Sequence, residues 1–299
     1  MLNAQVRRQP NKIRKPCSTE ESTKSYLRLN EGQIEELGSE FNAWRGAGPR
    51  GIVKSEQMVM TLLDYLAGGG YYRQVGRSAG LSTSAAFRHT HLVADFLFDI
   101  ARHHIQLPQH DEMQRLSSEL RYPDGEVKNV ILYIDGYIAR IQRPDHAGNA
   151  YFCGRHGKSC DSLNTQYVTD QFGKVRHIIT GLPGSTHDKT ATEWSRTFMD
   201  FLDNLPDGYI TIGDPAYRNL HRNVGHRFVG HGLTDEQQQF NDDITRLRQV
   251  IERTIGATQL KWRMAQMKEN RLAAKGGIIF ASKLIVSMAV LHNRYTNYL

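Results

Sequence analysis

Apolar residues recur along the chain with two periods, and each period predicts an element. Met58, Leu62, Leu63 and Leu66 fall at helical spacing; Gly68-Gly69-Gly70 interrupts the pattern, and Tyr72, Val75 and Ala79 resume it. Gly80-Leu81-Ser82 then makes a tight turn. Ser82 stands where an N-cap belongs, before the small polar first turn of a further helix through Thr83, Ser84 and Arg88. A different texture begins with Tyr122-Pro123-Asp124-Gly125, a turn, and Val130-Ile131-Leu132-Tyr133-Ile134, an apolar run that predicts a buried strand. Extended segments follow at about 162–171 and 174–181, joined by a hairpin turn at 170–174. One helix is predicted from His187 to about Leu205, with Trp194, Phe198, Phe201 and Leu202 on its apolar face, and then a strand at 209–213. Thr234-x-x-Gln237 has the spacing of a capping box and opens a long helix with Phe240, Ile244, Leu247 and Ile251 on one side. An apolar helix over about 277–292 completes the pattern.

This order divides the chain into a basic arm expected to be disordered (1–23), a helical domain (24–106), a linker (107–128) and an α/β domain with a mixed sheet (129–299). The helical domain has helix-turn-helix spacing, in which the second helix enters the major groove with its first residues toward the bases. Thr83, Ser84 and Arg88 are then the candidate base readers. An ordinary helical bundle also uses short glycine turns and is the competing reading.

Composition sharpens the choice of partner. The chain has 299 residues, 39% of them hydrophobic, and 38 Lys+Arg against 31 Asp+Glu give a net charge of +7. That balance favours a polyanion, with nucleic acid foremost. No apolar run reaches the roughly 20 residues of a membrane helix, and Met1-Leu2-Asn3-Ala4-Gln5 does not open a signal peptide, so an intracellular protein is expected. The arm carries Arg7, Arg8, Lys12, Arg14 and Lys15 with no acid before Glu20, suited to DNA phosphates or nuclear import, or simply to a solvated tail. Cys17, Cys153 and Cys160 form no Cys-x-x-Cys pair, and Cys153, His156 and Cys160 fall short of four zinc ligands. Gly154-Arg155-His156-Gly157-Lys158 reads instead as a basic loop, with Arg155 and Lys158 as phosphate contacts.

The candidate chemistry lies in carboxylates. Asp135 ends the first apolar run, Asp214 follows Tyr209-Ile210-Thr211-Ile212-Gly213, and Glu252 lies in the long helix on a stripe with Arg248 and Gln259. Two strand-end aspartates and a helical glutamate supply the oxygen ligands that a pair of divalent cations about 3.5–4 Å apart requires. Taken singly, each has a plainer role: a strand-end aspartate closes turns, and a helical glutamate faces water. Their joint order is what carries the metal reading.

Five short motifs strengthen it: Ile134-Asp135-Gly136; the basic loop leading to Ser162-Leu163-Asn164-Thr165-Gln166; Leu182-Pro183-Gly184-Ser185-Thr186-His187-Asp188; Ile212-Gly213-Asp214-Pro215-Ala216-Tyr217; and Ile251-Glu252-Arg253. With the terminal Leu291-His292-Asn293, the set resembles the PIF/Harbinger transposases and their domesticated nuclease relatives over about 128–295, and more weakly over 55–100. The resemblance implies a ribonuclease H-like fold and a DDE site holding Mg²⁺, with Mn²⁺ as a substitute. It also implies cut-and-paste chemistry on double-stranded DNA, homo-oligomers on DNA, a Myb-like accessory protein and a nuclear location. Asp188 and Asp214 both match the family's second acidic position. Topology selects Asp214, leaving Asp188 as a fourth ligand, an orienting group or a helix cap. A transposase-derived DNA-binding protein that no longer cuts is the alternative. A phosphoesterase built on His187-Asp188 would leave the basic arm unexplained.

Overall fold

The computed structural model describes residues 20–46, 53–144, 149–154, 159–266 and 277–296, which fall into two compact units divided at Val93/Ala94. Arg7, Arg8, Arg14, Lys15, Arg155 and Lys158 lie outside the described residues.

The first unit is helical: α1 (Glu20–Leu27), α2 (Glu31–Trp44), α3 (Ser55–Gly68), α4 (Tyr72–Ser78) and the start of α5 (Thr83–His104). Helix α1 begins inside the segment expected to be an arm. Asp64, buried on α3, ties this unit together, because Tyr26 Oη donates to its Oδ1 at 2.7 Å and Ser78 Oγ to its Oδ2 at 2.5 Å. The ring of Tyr72 stacks on Tyr65 at 4.7 Å and meets Phe87 edge-on at 5.1 Å, fastening α4 to both neighbours. The predicted cap is present: Ala85 N donates to Ser82 Oγ at 3.1 Å.

The second unit takes in the rest of α5 from Ala94 and continues with α6 (His110–Leu116) and β1 (Ser118–Arg121), so the stretch expected as a linker adds a strand, paired antiparallel with the start of β2 (Val127–Arg140). Next come β3 (Phe152–Cys153), β4 (Cys160–Thr169), β5 (Val175–Pro183), α7 (Asp188–Glu193), α8 (Arg196–Asp203), β6 (Tyr209–Ile212) and β7 (Val224–Gly225). Helices α9 (Asp235–Lys261), α10 (Arg263–Gln266) and α11 (Gly277–Tyr295) close the unit. The sheet runs β5-β4-β2-β6-β7. Strand β4 pairs antiparallel with β2 on one side and with β5 on the other, and β6 and β7 add in parallel beyond β2. This mixed sheet with flanking helices is consistent with a ribonuclease H-like fold.

Ile131, Leu132, Ile134 and Val168 from the sheet meet Phe198 and Leu202 of α8 and Tyr217 in an apolar cluster. Side chains like these each contribute about 1.5–3 kcal/mol when buried. Helix α9 opens with the predicted box: Gln237 N donates to Thr234 Oγ1 at 3.3 Å, and Thr234 N to Gln237 Oε1 at 3.1 Å. The Leu291-His292-Asn293 motif has a scaffold role. Asn293 Oδ1 accepts from Val175 N at 2.8 Å, and His292 Nε2 lies 3.0 Å from Gly173 O, pinning α11 to the β4–β5 turn.

Two predicted elements have different bounds. The helix expected over 187–205 is α7 and α8, broken at Trp194-Ser195. Trp194 is exposed rather than part of an apolar face, and the Ser195 hydroxyl lies 2.9 Å from His177 Nε2 instead of continuing a helix. Strand β2 also continues past Asp135 to Arg140, because residues 136–140 pair with Ser162–Gln166 of β4. Asp135 is therefore inside a strand, not at its end.

Candidate active site

Strands β2 and β6 run parallel, and their last paired residues are Tyr133 and Ile212. Asp135 and Asp214 each follow two residues later, so equivalent positions on adjacent strands bring the two carboxylates to one edge. Asp214 turns the chain, since its Oδ1 accepts from Ala216 N at 2.8 Å and Pro215 opens a single 3₁₀ turn ending in Tyr217. Gly213 is needed where it stands: a Cβ there would lie 2.7 Å from the Tyr217 ring and 2.9 Å from Ile134.

Helix α9 packs on β2 and β4 and presents Arg248 and Glu252, one turn apart, to the same place. Arg248 Nη2 donates to Asp135 Oδ2 at 3.0 Å, and Nη1 lies 3.6 Å from Glu252 Oε1. The other Asp135 oxygen accepts from Gly136 N at 2.8 Å. Burial pushes the Asp135 carboxyl up to about 6; Arg248 and the Gly136 N–H oppose that, and the negative charges of Asp214 and Glu252 reinforce it. The Asp135 carboxyl therefore feels the charges of both Asp214 and Glu252.

Asp188 belongs to a neighbouring, differently bonded group. Its Oδ1 accepts from Asn164 Nδ2 at 2.7 Å and from Gln166 Nε2 at 3.1 Å, both amides from buried positions of β4. Tyr217 Oη donates to Gln166 Oε1, linking this group to the turn after Asp214. Burial raises the Tyr217 phenol well above its usual range, with Asp188, Asp135 and Asp214 adding to the rise. Gly136 opens the space, because a Cβ on it would stand 3.2 Å from Asp188 Oδ1 and 3.3 Å from Gln166 Nε2.

These hard carboxylate oxygens suit Mg²⁺ or Mn²⁺. Among the described residues no three Asp, Glu, His or Cys side chains stand in a ready metal cage, and a guanidinium already links two of the carboxylates. Of the four carboxylates predicted from sequence, Asp135 thus feels the charges of Asp214 and Glu252, and Asp188 is held by amides.

A model of the DDE superfamily endonuclease family matches residues 134–293, more than half of the chain. The chain belongs to that family. The match runs from just before Asp135 to Asn293 and includes all four carboxylates. This DDE endonuclease is also 26% identical over 209 residues to a probable transposase for insertion sequence element IS702 of Microchaete diplosiphon, an alignment covering 69% of this chain and 70% of that protein. No solved structure matches it significantly.

Sequence reasoning missed three of the site's participants in this DDE endonuclease. In the sequence Arg248, four residues before Glu252, fits surface charge or a phosphate contact, and nothing there says that it reaches Asp135. Asn164 and Gln166, both polar and spaced by two within a strand, share a face, and that spacing was the available signal. Tyr217 packs in the apolar cluster and also donates to Gln166. On the first unit, Thr83, Ser84 and Arg88 are exposed along the start of α5, whereas Tyr71, Arg73, Gln74 and Arg77 line an open cavity of about 420 Å³ that no motif marked. Among the described residues, no helix is long and apolar enough to cross a membrane.

Proposed function

We propose that this DDE endonuclease is a transposase of the PIF/Harbinger type, cutting and joining DNA phosphodiester bonds at transposon ends. The carrying observation is that Asp135 and Asp214 each stand two residues past the last β2–β6 partners, with Glu252 on α9 close enough to act on Asp135. In this reading Asp135, Asp214 and Glu252 hold divalent cations. Asp188, already accepting two amide hydrogen bonds, orients the β4 edge of the site. Two bound Mg²⁺ ions would activate the attacking water or 3′-hydroxyl and stabilise the departing 3′ oxygen. The protein supplies the carboxylates, a desolvated Asp135 whose charge a cation would favour, and the α9 cations near a polyanionic substrate.

DNA recognition is assigned to the first unit, with α4 and α5 as a helix-turn-helix. Thr83, Ser84 and Arg88 face base edges, and Arg73 and Arg77 contact backbone phosphates. The arm residues Arg7, Arg8, Arg14 and Lys15 and the loop residues Arg155 and Lys158 add phosphate contacts. Because two ends must be cut, the active species is an oligomer on DNA, joined by a Myb-like accessory protein in the nucleus. Light scattering with and without end DNA tests the assembly; paired cuts by a strict monomer would overturn it.

The deciding assay is Mg²⁺-dependent cleavage of DNA carrying the flanking genomic repeats. Strand breaks at the repeat ends are expected from the wild type and not from Asp135→Ala. Specific binding to the same DNA without any metal-dependent cutting would reject the nuclease reading in favour of a transposase-derived binding protein.

A further inference from the structure

The guanidinium between Asp135 and Glu252 has two unusual properties. It is largely buried, with a side-chain exposure of 14%, yet its Nε–H has no acceptor among the described residues. Its ion-pair partners are two acids, Asp135 at 3.0 Å and Glu252 at 3.6 Å, and the charges of Asp214 and Glu252 both act on Asp135. A buried donor left unmet carries a penalty, so hydrogen bonding alone does not explain the position of Arg248. Charge does. Without a positive ion, three carboxylates collected at one edge would repel, and a single guanidinium reached from the adjacent helix turn offsets that repulsion.

Resting on the reading of Asp135, Asp214 and Glu252 as the cation site, we propose that Arg248 is an internal counter-ion that competes with the divalent cations for this site and is displaced when they bind. The two positive groups would compete because both draw on the negative charge of the Asp135 and Glu252 carboxylates, to which Arg248 is bonded. Linkage is reciprocal: whatever Arg248 takes from cation affinity, the cation takes from the Arg248 ion pairs. Arg248 thus keeps the ligands together in the metal-free protein and sets the concentration at which metal enters. It has no role as a ligand or a proton carrier.

The test is Mn²⁺ titration of the full chain without DNA, followed by electron paramagnetic resonance, on wild type, Arg248→Gln and Arg248→Lys. Arg248→Gln removes the competing charge and is expected to bind Mn²⁺ roughly tenfold more tightly, within the range of ordinary coupling between sites. Arg248→Lys keeps a charge but cannot bridge both carboxylates as a fork, so it is expected to fall between. Equal or weaker Mn²⁺ binding by both variants would overturn the proposal. Should the glutamine variant not fold, phenylglyoxal labelling of the wild type gives the answer independently. Modification of Arg248, read by peptide mass spectrometry, should increase when Mn²⁺ saturates the protein; unchanged or reduced labelling would contradict displacement. Asp135→Asn separates the two layers. If that variant still binds Mn²⁺ like wild type, the cation-site assignment fails; if it loses Mn²⁺ while Arg248→Gln gains nothing, only the competition fails.

Discussion

Two acidic regions lie side by side on the sheet, and they are held in opposite ways. Around Asp188 the partners are neutral and buried: Asn164 and Gln166 donate to one carboxylate oxygen, and Tyr217 satisfies the Gln166 carbonyl. Around Asp135 the partner is a charged side chain from a helix, one of whose donors is unmet, and the carboxyl is pushed up to about 6. The difference separates an aspartate held by neutral amides from one that is desolvated and tied to a charged helix side chain. An amide-locked oxygen gains little from a cation, whereas a desolvated carboxylate kept near other carboxylates by a removable charge gains a great deal.

Activity gives the largest expected contrast. Asp135→Asn, Asp214→Asn and Glu252→Gln should each lower the cleavage rate by more than about 100-fold, since a metal ligand underwrites several kcal/mol of charge stabilisation. Binding to DNA, measured by fluorescence anisotropy, should stay near wild type. Asp188→Asn should fall far less, about tenfold, with unchanged metal dependence. A loss as complete as that of Asp135→Asn would dissolve the distinction between the regions.

Acid should sharpen the same contrast through His177, which belongs with the neutral, burial-locked groups. It stacks on Phe198 with ring centres 5.7 Å apart, lies 2.9 Å from Ser195 Oγ, and burial lowers it to about 4. A histidine depressed in the fold binds its proton more readily when unfolded. Its stability contribution is therefore complete above about pH 6.5 and is lost as pH falls from 6.5 toward 4, at most about 3 kcal/mol. Urea unfolding at pH 7.5 and 4.5, wild type against His177→Gln, measures it; an equal acid loss in both proteins would remove His177 from the account.

A smaller effect is expected from Tyr217→Phe. It keeps the ring in the apolar cluster but strips the donor from Gln166, leaving a buried acceptor unmet at a cost of about 1–3 kcal/mol. Chemical denaturation reads this directly. If stability holds and the midpoint does not move, the amide region is not a closed network.

Much of this arrangement was legible in the sequence, for reasons that can be named. The run Val130–Ile134 and the segment Tyr209–Ile212 announce strands because burial on both faces demands continuous apolar residues. The Thr234–Gln237 box fixes the start of α9, and so the height at which Glu252 meets the sheet. Less was legible where local pattern and tertiary need diverge. Trp194 and Phe198 have helical spacing, yet Ser195 turns out of the helix toward His177. Gly136 looks like a turn and is strand, because its missing side chain makes room for Asp188 and Gln166. Short pieces such as β1, β3 and β7 carry no periodicity of their own and exist only through their partners. The reach of Arg248 to Asp135 spans 113 positions in sequence, and no local signal encodes it.

The most direct test of the central claim is diffraction from crystals of the full chain soaked with Mn²⁺, using the anomalous signal to locate the ion. The account predicts a peak bounded by oxygens of Asp135 and Asp214 with Glu252 turned toward it, and the Asp188 oxygen still receiving its two amides. A peak on Asp188 with Asp135 still bound to Arg248, or no peak at any of the four carboxylates at saturating Mn²⁺, would contradict it.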